Sequence, residues 1–470
     1  MGFLEAMEKI EPYVFQIEAP TRKVGFTTRL VWTGLVLVLY LIMGYIPLYG
    51  IAREQGADPW AAMRIIIGGQ QGSLLHLGIG PIVTGSLLVQ LLAGSGLIRF
   101  DPGSEYDRRM LQVATKLFTI AIILFSAVST VFSGALIEEN LKARLIATIQ
   151  LFLSSLLLLM MDEILQKGWG LGSGISLFIL AGVAKEIWLE CLSPLAHAPD
   201  GYMWGVIIFL FQKIFTLSNP LTGFFYRGAP TVPTLFQLIL TIIFILALVY
   251  LESVSINIPI SHGRFRGFTR GLPIKLLYVS NIPVILTAAI FTNIVMIATF
   301  LSNTPLAETP LGDIIGRVQV VNNTYVPVSG LAKLVSAPRG IIRAAEEPLH
   351  AIGYVLILTL FSLGLSMVWL SVSGMDARSI STQLVESDVF LRGFRSTPSV
   401  IESRIAPYIN TVAFIGGMLI GLIAGIGDVL GVIGGGMGVL LAVDIVQQYY
   451  QLILTETLET HPELAKFLGG

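Results

Sequence analysis

Long apolar runs interrupted by glycine and proline are the feature that most restricts how this chain can fold. Four helical segments begin at such residues and continue into bare aliphatic side chains, at positions 78–83, 172–175, 281–285 and 434–439. Lipid cannot satisfy backbone groups that a helix break sets free, so these breaks persist only inside protein or beside a watery cavity. The segments expose Ile, Val and Leu and almost no charge. The pattern predicts a membrane pore with an apolar constriction.

Composition agrees with a membrane location and argues against enzymatic chemistry. The chain has 470 residues, of which 54% are hydrophobic and 13% charged, whereas a soluble domain carries about 25% charged residues. Motifs for nucleotide phosphates, for a catalytic zinc or for a hydrolase serine are absent. The five histidines are scattered and Cys191 is the single cysteine, so neither a metal cluster nor an intrachain disulfide is expected. We predict no catalytic residues, no metal and no cofactor.

Apolar runs of about 17–25 residues predict ten transmembrane helices. They lie near residues 30–49, 79–94, 113–136, 145–165, 174–188, 234–256, 277–301, 350–373, 411–430 and 439–453. Residues 203–215 are too few to span and are expected to be interfacial or re-entrant. With the N-terminus inside, 18 of the 29 Lys and Arg residues fall in cytoplasmic segments. This asymmetry predicts ten spans with both termini in the cytoplasm.

The ten spans divide into two sets of five whose irregular motifs correspond. The second span of each half carries a Gly/Pro-aliphatic motif (80–83 and 282–285), and the fifth a Gly-x-Gly-aliphatic motif (172–175 and 436–439). An odd number of spans gives the halves opposite orientations, as in transport proteins built from inverted repeats. The predicted fold is therefore an all-α polytopic membrane protein of ten helices in two inverted five-helix halves around a central pore. Its segments are an amphipathic cytoplasmic N-terminus (1–29), the first half (30–192), an external loop with an interfacial segment (193–233), the second half (234–455) with basic cytoplasmic loops at 257–276 and 374–408, and a cytoplasmic tail (456–470).

Six aliphatic residues beside the breaks are the predicted pore lining. They are Ile79, Val83, Ile175, Ile179, Ile285 and Leu441. Two pairs among them stand four residues apart and so share a helix face. A ring of such side chains makes a dewetted constriction that stops ions without binding a particular substrate. Ordinary core or lipid-facing packing would explain any one of them taken alone, but their common position at a break favours the pore.

Other residues leave alternatives open. Asp58 and Pro59, followed by paired glycines at 68–69, predict a short external helix. This helix is either a cap on the surface or a segment folded back into the pore, and the residues alone favour the surface cap. Gln90 and Asn293 stand within apolar spans, where amides either join helices, at about 1 kcal/mol per bond, or latch a seam that opens. Asp444 is the predicted deepest acid and would serve an alternative function, a proton- or ion-coupled secondary transporter.

The four motifs resemble those of the SecY family, the α subunit of the Sec protein-translocation channel. The matching segments are 77–84, 170–177, 272–285 and 434–441, in the order in which the family carries them. Their residues resemble those of archaeal or eukaryotic members rather than bacterial ones. The resemblance implies an hourglass channel that passes unfolded polypeptide outward and releases apolar segments sideways into lipid. No energy-coupling motif is visible, so the driving force is expected from a bound partner such as the ribosome.

The resemblance also assigns sites and partners. The plug helix (about 58–68) would hold Asp58, Pro59, Trp60, Met63, Ile66 and Ile67. Gln90 and Asn293 would form the polar cluster of the lateral gate, and Arg108 matches a basic family position. Ribosome contacts would fall on Arg264, Arg266, Arg270, Arg392 and Arg395. SecE-like and β-type single-span subunits, signal sequences, nascent polypeptides and membrane lipid are the other implied partners, in an archaeal cell membrane or, for a eukaryotic chain, the endoplasmic reticulum membrane.

Overall fold

A computed structural model describes residues 3–22, 24–50, 72–94, 97–98, 104–132, 140–194, 198–216, 223–229, 232–262, 269–277, 279, 282–302, 309–321, 324–386, 389–391 and 397–460. Helices dominate these residues. They are α1 (Phe3–Ile10), α2 (Phe26–Tyr45), α3 (Gly80–Gly94), α4 (Glu105–Phe132), α5 (Leu141–Ile164), α6 (Gly174–Leu192), α7 (Val206–Phe215), α8 (Leu235–Ser253), α9 (Ile282–Ser302), α10 (Pro310–Ile315), α11 (Gly330–Leu334), α12 (Ile341–Glu346), α13 (Pro348–Val372), α14 (Ala377–Glu386), α15 (Pro398–Leu430) and α16 (Gly436–Thr460). The strands are β1 (Ser255–His262), β2 (Thr269–Lys275), β3 (Val318–Val321), β4 (Thr324–Pro327) and β5 (Val389–Leu391).

Eight of the described helices are long and apolar enough to cross a membrane: α2, α4, α5, α8, α9, α13, α15 and α16. The two remaining predicted spans are also helical, but α3 has 15 residues and the 19-residue α6 carries three charged side chains. The short α7 has ten residues and would reach about 15 Å, half of the hydrocarbon thickness.

Several helices extend beyond the apolar runs that predicted them. Helix α4 begins at Glu105 and α15 at Pro398, whereas the apolar runs start near residues 113 and 411. Likewise α16 continues to Thr460, past the predicted start of the tail at 456. A helix satisfies its backbone hydrogen bonds internally and can therefore continue into water, whereas hydropathy marks only the part in contact with lipid.

The chain is mostly helical, as predicted, but two small sheets that the all-α prediction did not include stand outside the helices. Strand β1 pairs antiparallel with β2, with Ser255 opposite Lys275, and on its other side with β5, where Ile260 faces Leu391. Strands β3 and β4 form a separate hairpin. The two predicted basic loops, 257–276 and 374–408, thus meet in one three-stranded sheet. The run Ser-Ile-Asn-Ile-Pro-Ile-Ser in β1 alternates polar and apolar residues, which is a strand pattern.

The largest hydrophobic core joins helices from both predicted halves. It includes Tyr40, Phe178, Phe291, Tyr354 and Leu441, which belong to α2, α6, α9, α13 and α16. Helices α13 and α15 approach most closely through small residues: a Cβ at Gly421 would lie 2.7 Å from the Cα of Thr359. In lipid, where the hydrophobic effect does not drive helices together, small residues allow the close backbone contact on which helix packing depends.

The N-terminal segment is held against the first helices. Tyr106 donates a hydrogen bond of 2.9 Å to Glu8, and Arg109 pairs with Glu11. Further along, the Glu163 carboxylate accepts the Ile17 N–H at 3.2 Å and pairs with Lys116 at 2.6 Å. These contacts tie residues 8–17 to α4 and to the end of α5.

Candidate pore and lateral seam

Glycines in the left-handed region form three of the four predicted helix breaks. Gly78 (φ 54°) precedes α3, Gly172 (φ 65°) precedes α6, and Gly434 (φ 81°) and Gly435 (φ 77°) precede α16. Residues with a Cβ rarely adopt this conformation, so the sequence turns the chain abruptly into each helix. The fourth break includes positions 280 and 281, outside the described residues, and α9 begins directly after it at Ile282.

The six predicted pore residues all belong to the largest hydrophobic core. Ile79, Val83, Ile179 and Leu441 are buried, none more than 6% exposed, and the half-buried Ile175 and Ile285 pack against the same core. They come from α6, α9, α16 and the start of α3, so four separate helical segments each bring one or two aliphatic side chains to this core. Such an arrangement can exclude water and ions while offering no hydrogen bond to a passing molecule.

Two buried carboxylates, which sequence reasoning did not select, stand directly behind these breaks. Asp162 accepts the Ile175 N–H at 3.0 Å and the Gln166 amide at 2.8 Å. Asp428 accepts the Gly436 N–H at 2.7 Å and the Tyr354 hydroxyl at 2.8 Å. Their place just before a Gly-x-Gly break is the sequence signal that could have identified them.

Asp444, the predicted deepest acid, is less buried than two other acids. It is half-buried on α16 and accepts a hydrogen bond from Gln448 at 2.9 Å, whereas Asp428 and Asp162 are only 2% and 5% exposed. The apolar run around a residue does not reveal how far its own side chain is buried.

A polar contact joins α3 to α9 along the predicted seam. The Asn293 amide donates to the Thr84 hydroxyl at 2.8 Å, and that hydroxyl in turn donates to the Gly80 carbonyl at 2.8 Å. Gln90, the other predicted amide, donates to Ser86 at 3.0 Å, one turn earlier on its own helix. The structure therefore pairs Asn293 with Thr84, a residue that sequence reasoning missed, across the two helices.

The predicted plug helix and most predicted contact residues fall outside the described residues. Positions 58–68, Arg264, Arg266, Arg392 and Arg395 belong to this group. Arg270 lies in strand β2, and Arg108 is exposed in the first turns of α4.

Helices that begin at glycine breaks, an apolar core shared by several spans and a polar bond between two of them are features of a channel-type multi-pass membrane protein. The family model SecY matches residues 73–450, and the plug domain of Sec61p matches residues 38–72. The protein translocase subunit SecY of Methanococcus vannielii is 38% identical over 465 residues, 98% of this chain and 99% of that relative. The corresponding subunit of Pyrococcus furiosus is 36% identical over 484 residues, covering both chains completely.

Solved structures agree with the sequence relatives. A structure of a protein-conducting channel superposes with a TM-score of 0.80 at 33% identity, over 99% of this chain and all of the other. Sec61 in the canine ribosome-channel complex from the endoplasmic reticulum gives a TM-score of 0.77, also at 33% identity and with the same coverage. The chain belongs to the SecY family.

Proposed function

We propose that the chain forms the pore of a translocation channel in which the six aliphatic residues act as a gasket. The observation that carries the proposal is their convergence from four helical segments into one apolar cluster. A channel for any sequence must hold back ions and yet bind no particular substrate. Polar walls would conduct ions and retain some polypeptides, whereas flexible aliphatic side chains seal around a chain without hydrogen-bonding it.

Reciprocal contacts support an architecture of ten spans in two inverted halves. Gly172 and Gly434 each stand two positions before a helix, α6 or α16, and Ile187 and Tyr449 each stand thirteen positions after the first residue of those helices. A Cβ at Gly172 would lie 3.1 Å from the Tyr449 ring, and one at Gly434 would lie 2.9 Å from Ile187. Equivalent positions therefore contact each other crosswise, as a two-fold axis in the membrane plane requires.

The seam between α3 and α9 supports a lateral gate. Its bond between Asn293 and Thr84 is of the kind worth about 1 kcal/mol between membrane helices, strong enough to favour closure and weak enough to break. A nascent helix that prefers lipid would leave through the opened seam, by a partition of a few kcal/mol summed over its residues. The match of residues 38–72 to a plug domain supports the short helix at 58–68 as the plug.

A ribosome is the proposed driving partner. The sheet formed by β1, β2 and β5 joins the two basic loops, and this supports joint binding of ribosomal phosphates by the arginines of these loops, Arg264, Arg266, Arg270, Arg392 and Arg395. A relative bound in a ribosome-channel complex supports this partner. SecE-like and β-type single-span subunits would complete the complex, with both termini in the cytoplasm and an archaeal cell membrane as the site.

Crosslinking to a stalled chain tests polypeptide conduction. Cysteines at Ile79 and Ile285, in a Cys191→Ala background, should crosslink to a secretory nascent chain held in transit by its ribosome, whereas a cysteine at the lipid-exposed Leu246 of α8 should not. Equal labelling of all three positions would contradict the pore assignment. Asp444→Asn separates the alternative function, since a coupled transporter would lose solute uptake, whereas this channel should export a secretory protein at the normal rate.

A further inference from the structure

Asp162 and Asp428 occupy corresponding places in the two halves. Asp162 is in the last turn of α5, which a π-helical turn (Leu165–Trp169) separates from the break before α6, and Asp428 is in the last turn of α15, before the break that leads to α16. Both side chains are buried. In the proposed topology, the first approaches the waist from the cytoplasmic side and the second from the outside.

Each carboxylate supplies the cap that its following helix lacks. The first N–H groups of a helix have no intrahelical partners, and an Asp, Asn, Ser or Thr at the N-cap position normally accepts one of them. At the start of α6, the Ser173 side chain makes no such bond; at the start of α16, Gly435 has no side chain to offer. Asp162 instead accepts the N–H of Ile175, and Asp428 that of Gly436.

The contact between helices leaves each broken helix little freedom to shift. A Cβ at Gly174 would lie 2.7 Å from the Cα of Asp162. At Gly436, a Cβ would lie 2.5 Å from the backbone N of Asp428 and 2.2 Å from the carbonyl of Ala424. The first residue of each helix therefore rests directly on the preceding span, at a height set by the bond to the carboxylate.

The positions of the pore residues on α6 and α16 depend on where these two helices begin. Ile175 carries the capped N–H itself, and Ile179 stands one turn further along α6. Leu441 stands five residues after Gly436, about 7.5 Å along α16. A shift of either helix start along its axis would move these side chains relative to Ile79, which belongs to the same hydrophobic core.

We propose that Asp162 and Asp428 are positioning residues that hold the aliphatic ring in register from opposite sides of the waist. The inference rests on the proposed gasket function. Asp428 has an additional role, because its second oxygen accepts the hydroxyl of Tyr354 from α13. Helix α13 also packs against the end of α3, where a Cβ at Gly94 would lie 2.6 Å from the Val372 side chain, so this bond would couple movement of α3 at the proposed lateral gate to the position of Leu441.

Ion conductance of the resting channel tests the inference. Asp162→Leu and Asp428→Leu remove the acceptors at similar volume, and purified channel complexes carrying them should leak at least about tenfold more in planar bilayers, as expected when a dewetted constriction loses its fit. Asp162→Asn keeps an amide oxygen for the Ile175 N–H and should seal like the wild type. Tyr354→Phe spares the Gly436 cap and should raise the leak less than Asp428→Leu.

Glu163 provides a matched control for a merely structural role. It follows Asp162 directly but binds Lys116 and the N-terminal segment, so Glu163→Leu should lower the melting temperature without raising the leak. Ile79→Ser combined with Ile285→Ser should leak in any case. If this pair leaks while both Leu variants seal, the positioning role is wrong and the gasket stands; if the pair itself seals, the gasket is wrong.

A variant that does not assemble into the channel complex also tests the positioning role of the two carboxylates. Should a Leu variant not assemble, Asp162→Ala and Asp428→Ala, which remove the acceptor without adding bulk, should assemble and leak. If the Ala variants fail too, or if Asp162→Asn fails although it keeps the acceptor, the two carboxylates serve folding alone and the inference is overturned.

Discussion

The hydrogen bond between Asn293 and Thr84 is a polar contact across the seam whose loss can be measured. Asn293→Leu removes a bond of about 1 kcal/mol and should shift the ratio of open to closed gates about fivefold toward the open form. Export of a substrate with a weakened signal sequence should rise accordingly. Gln90→Leu is the control, because the Gln90 bond stays within α3, and it should leave export unchanged. Equal gains in the two variants would contradict a specific latch.

For single side chains, the sequence shows which residue types need a hydrogen-bond partner but not which residue that partner is. Asn293 was recognisable because an amide in an apolar span needs a neighbour. Thr84 was not, since a threonine in a helix commonly bonds its own preceding turn, as Thr84 also does with Gly80. Asp162 could not be identified from the sequence, because the cap that it supplies depends on the fold of residues 165–173.

The close packing of helix α15 against helix α13 depends on a glycine of α15, Gly421. Gly421→Ala would place a Cβ 2.7 Å from the Thr359 Cα and 2.9 Å from the Ser362 Cβ, so the two helices must separate, at a cost of about 1–3 kcal/mol. The melting temperature of the purified protein should fall by several degrees. Gly364→Ala on α13 meets nothing within 4 Å and should leave it unchanged. An equal fall in both variants would indicate a helix effect unrelated to the contact.

The β1–β2–β5 sheet suggests that the two basic loops act together. Arg392→Glu with Arg395→Glu should weaken ribosome binding on the order of tenfold at low salt and make its salt dependence shallower, because fewer phosphate contacts remain. Arg343→Glu on the exposed helix α12, proposed to face outside, should bind normally. Binding that is unchanged for the double variant across a salt series would exclude these arginines as contacts.

Hydropathy located the helices but not these strands. A window long enough to find a span averages over the alternation of β1, and the third strand of the sheet lies more than 120 residues further along the chain. Pairing at that separation depends on the approach of α14 and α15 to β2, which no local pattern encodes. Helix ends were uncertain for the related reason that a helix need not end where its apolar face does.

The whole sequence predicts an inverted repeat, because each proposed half carries its breaks in the same order. What the sequence lacked was the crosswise contact between Gly172 and Tyr449 and between Gly434 and Ile187. That contact places α6 beside α16, whereas α3 meets α9 through Asn293 and Thr84. A side-chain hydrogen bond joins α3 to α9, whereas α6 and α16 pack glycine backbone against side chains at both ends. This difference predicts which seam opens.

A cleavable crosslink across the seam of α3 and α9 tests this difference in the whole molecule. Cysteines at Thr84 and Asn293, whose side-chain atoms lie 2.8 Å apart, would be joined by a reducible bifunctional reagent in a Cys191→Ala background. The locked channel should neither admit a signal sequence nor release a transmembrane segment, and reduction should restore both. Thr33 and Leu171 provide a control pair within the proposed first half, where the Leu171 N–H donates a hydrogen bond to the Thr33 hydroxyl. Cysteines at these two positions should crosslink without loss of export. Normal release of a transmembrane segment from the locked channel would show that the segment leaves by another route, because a closed α3–α9 seam gives it no opening into lipid.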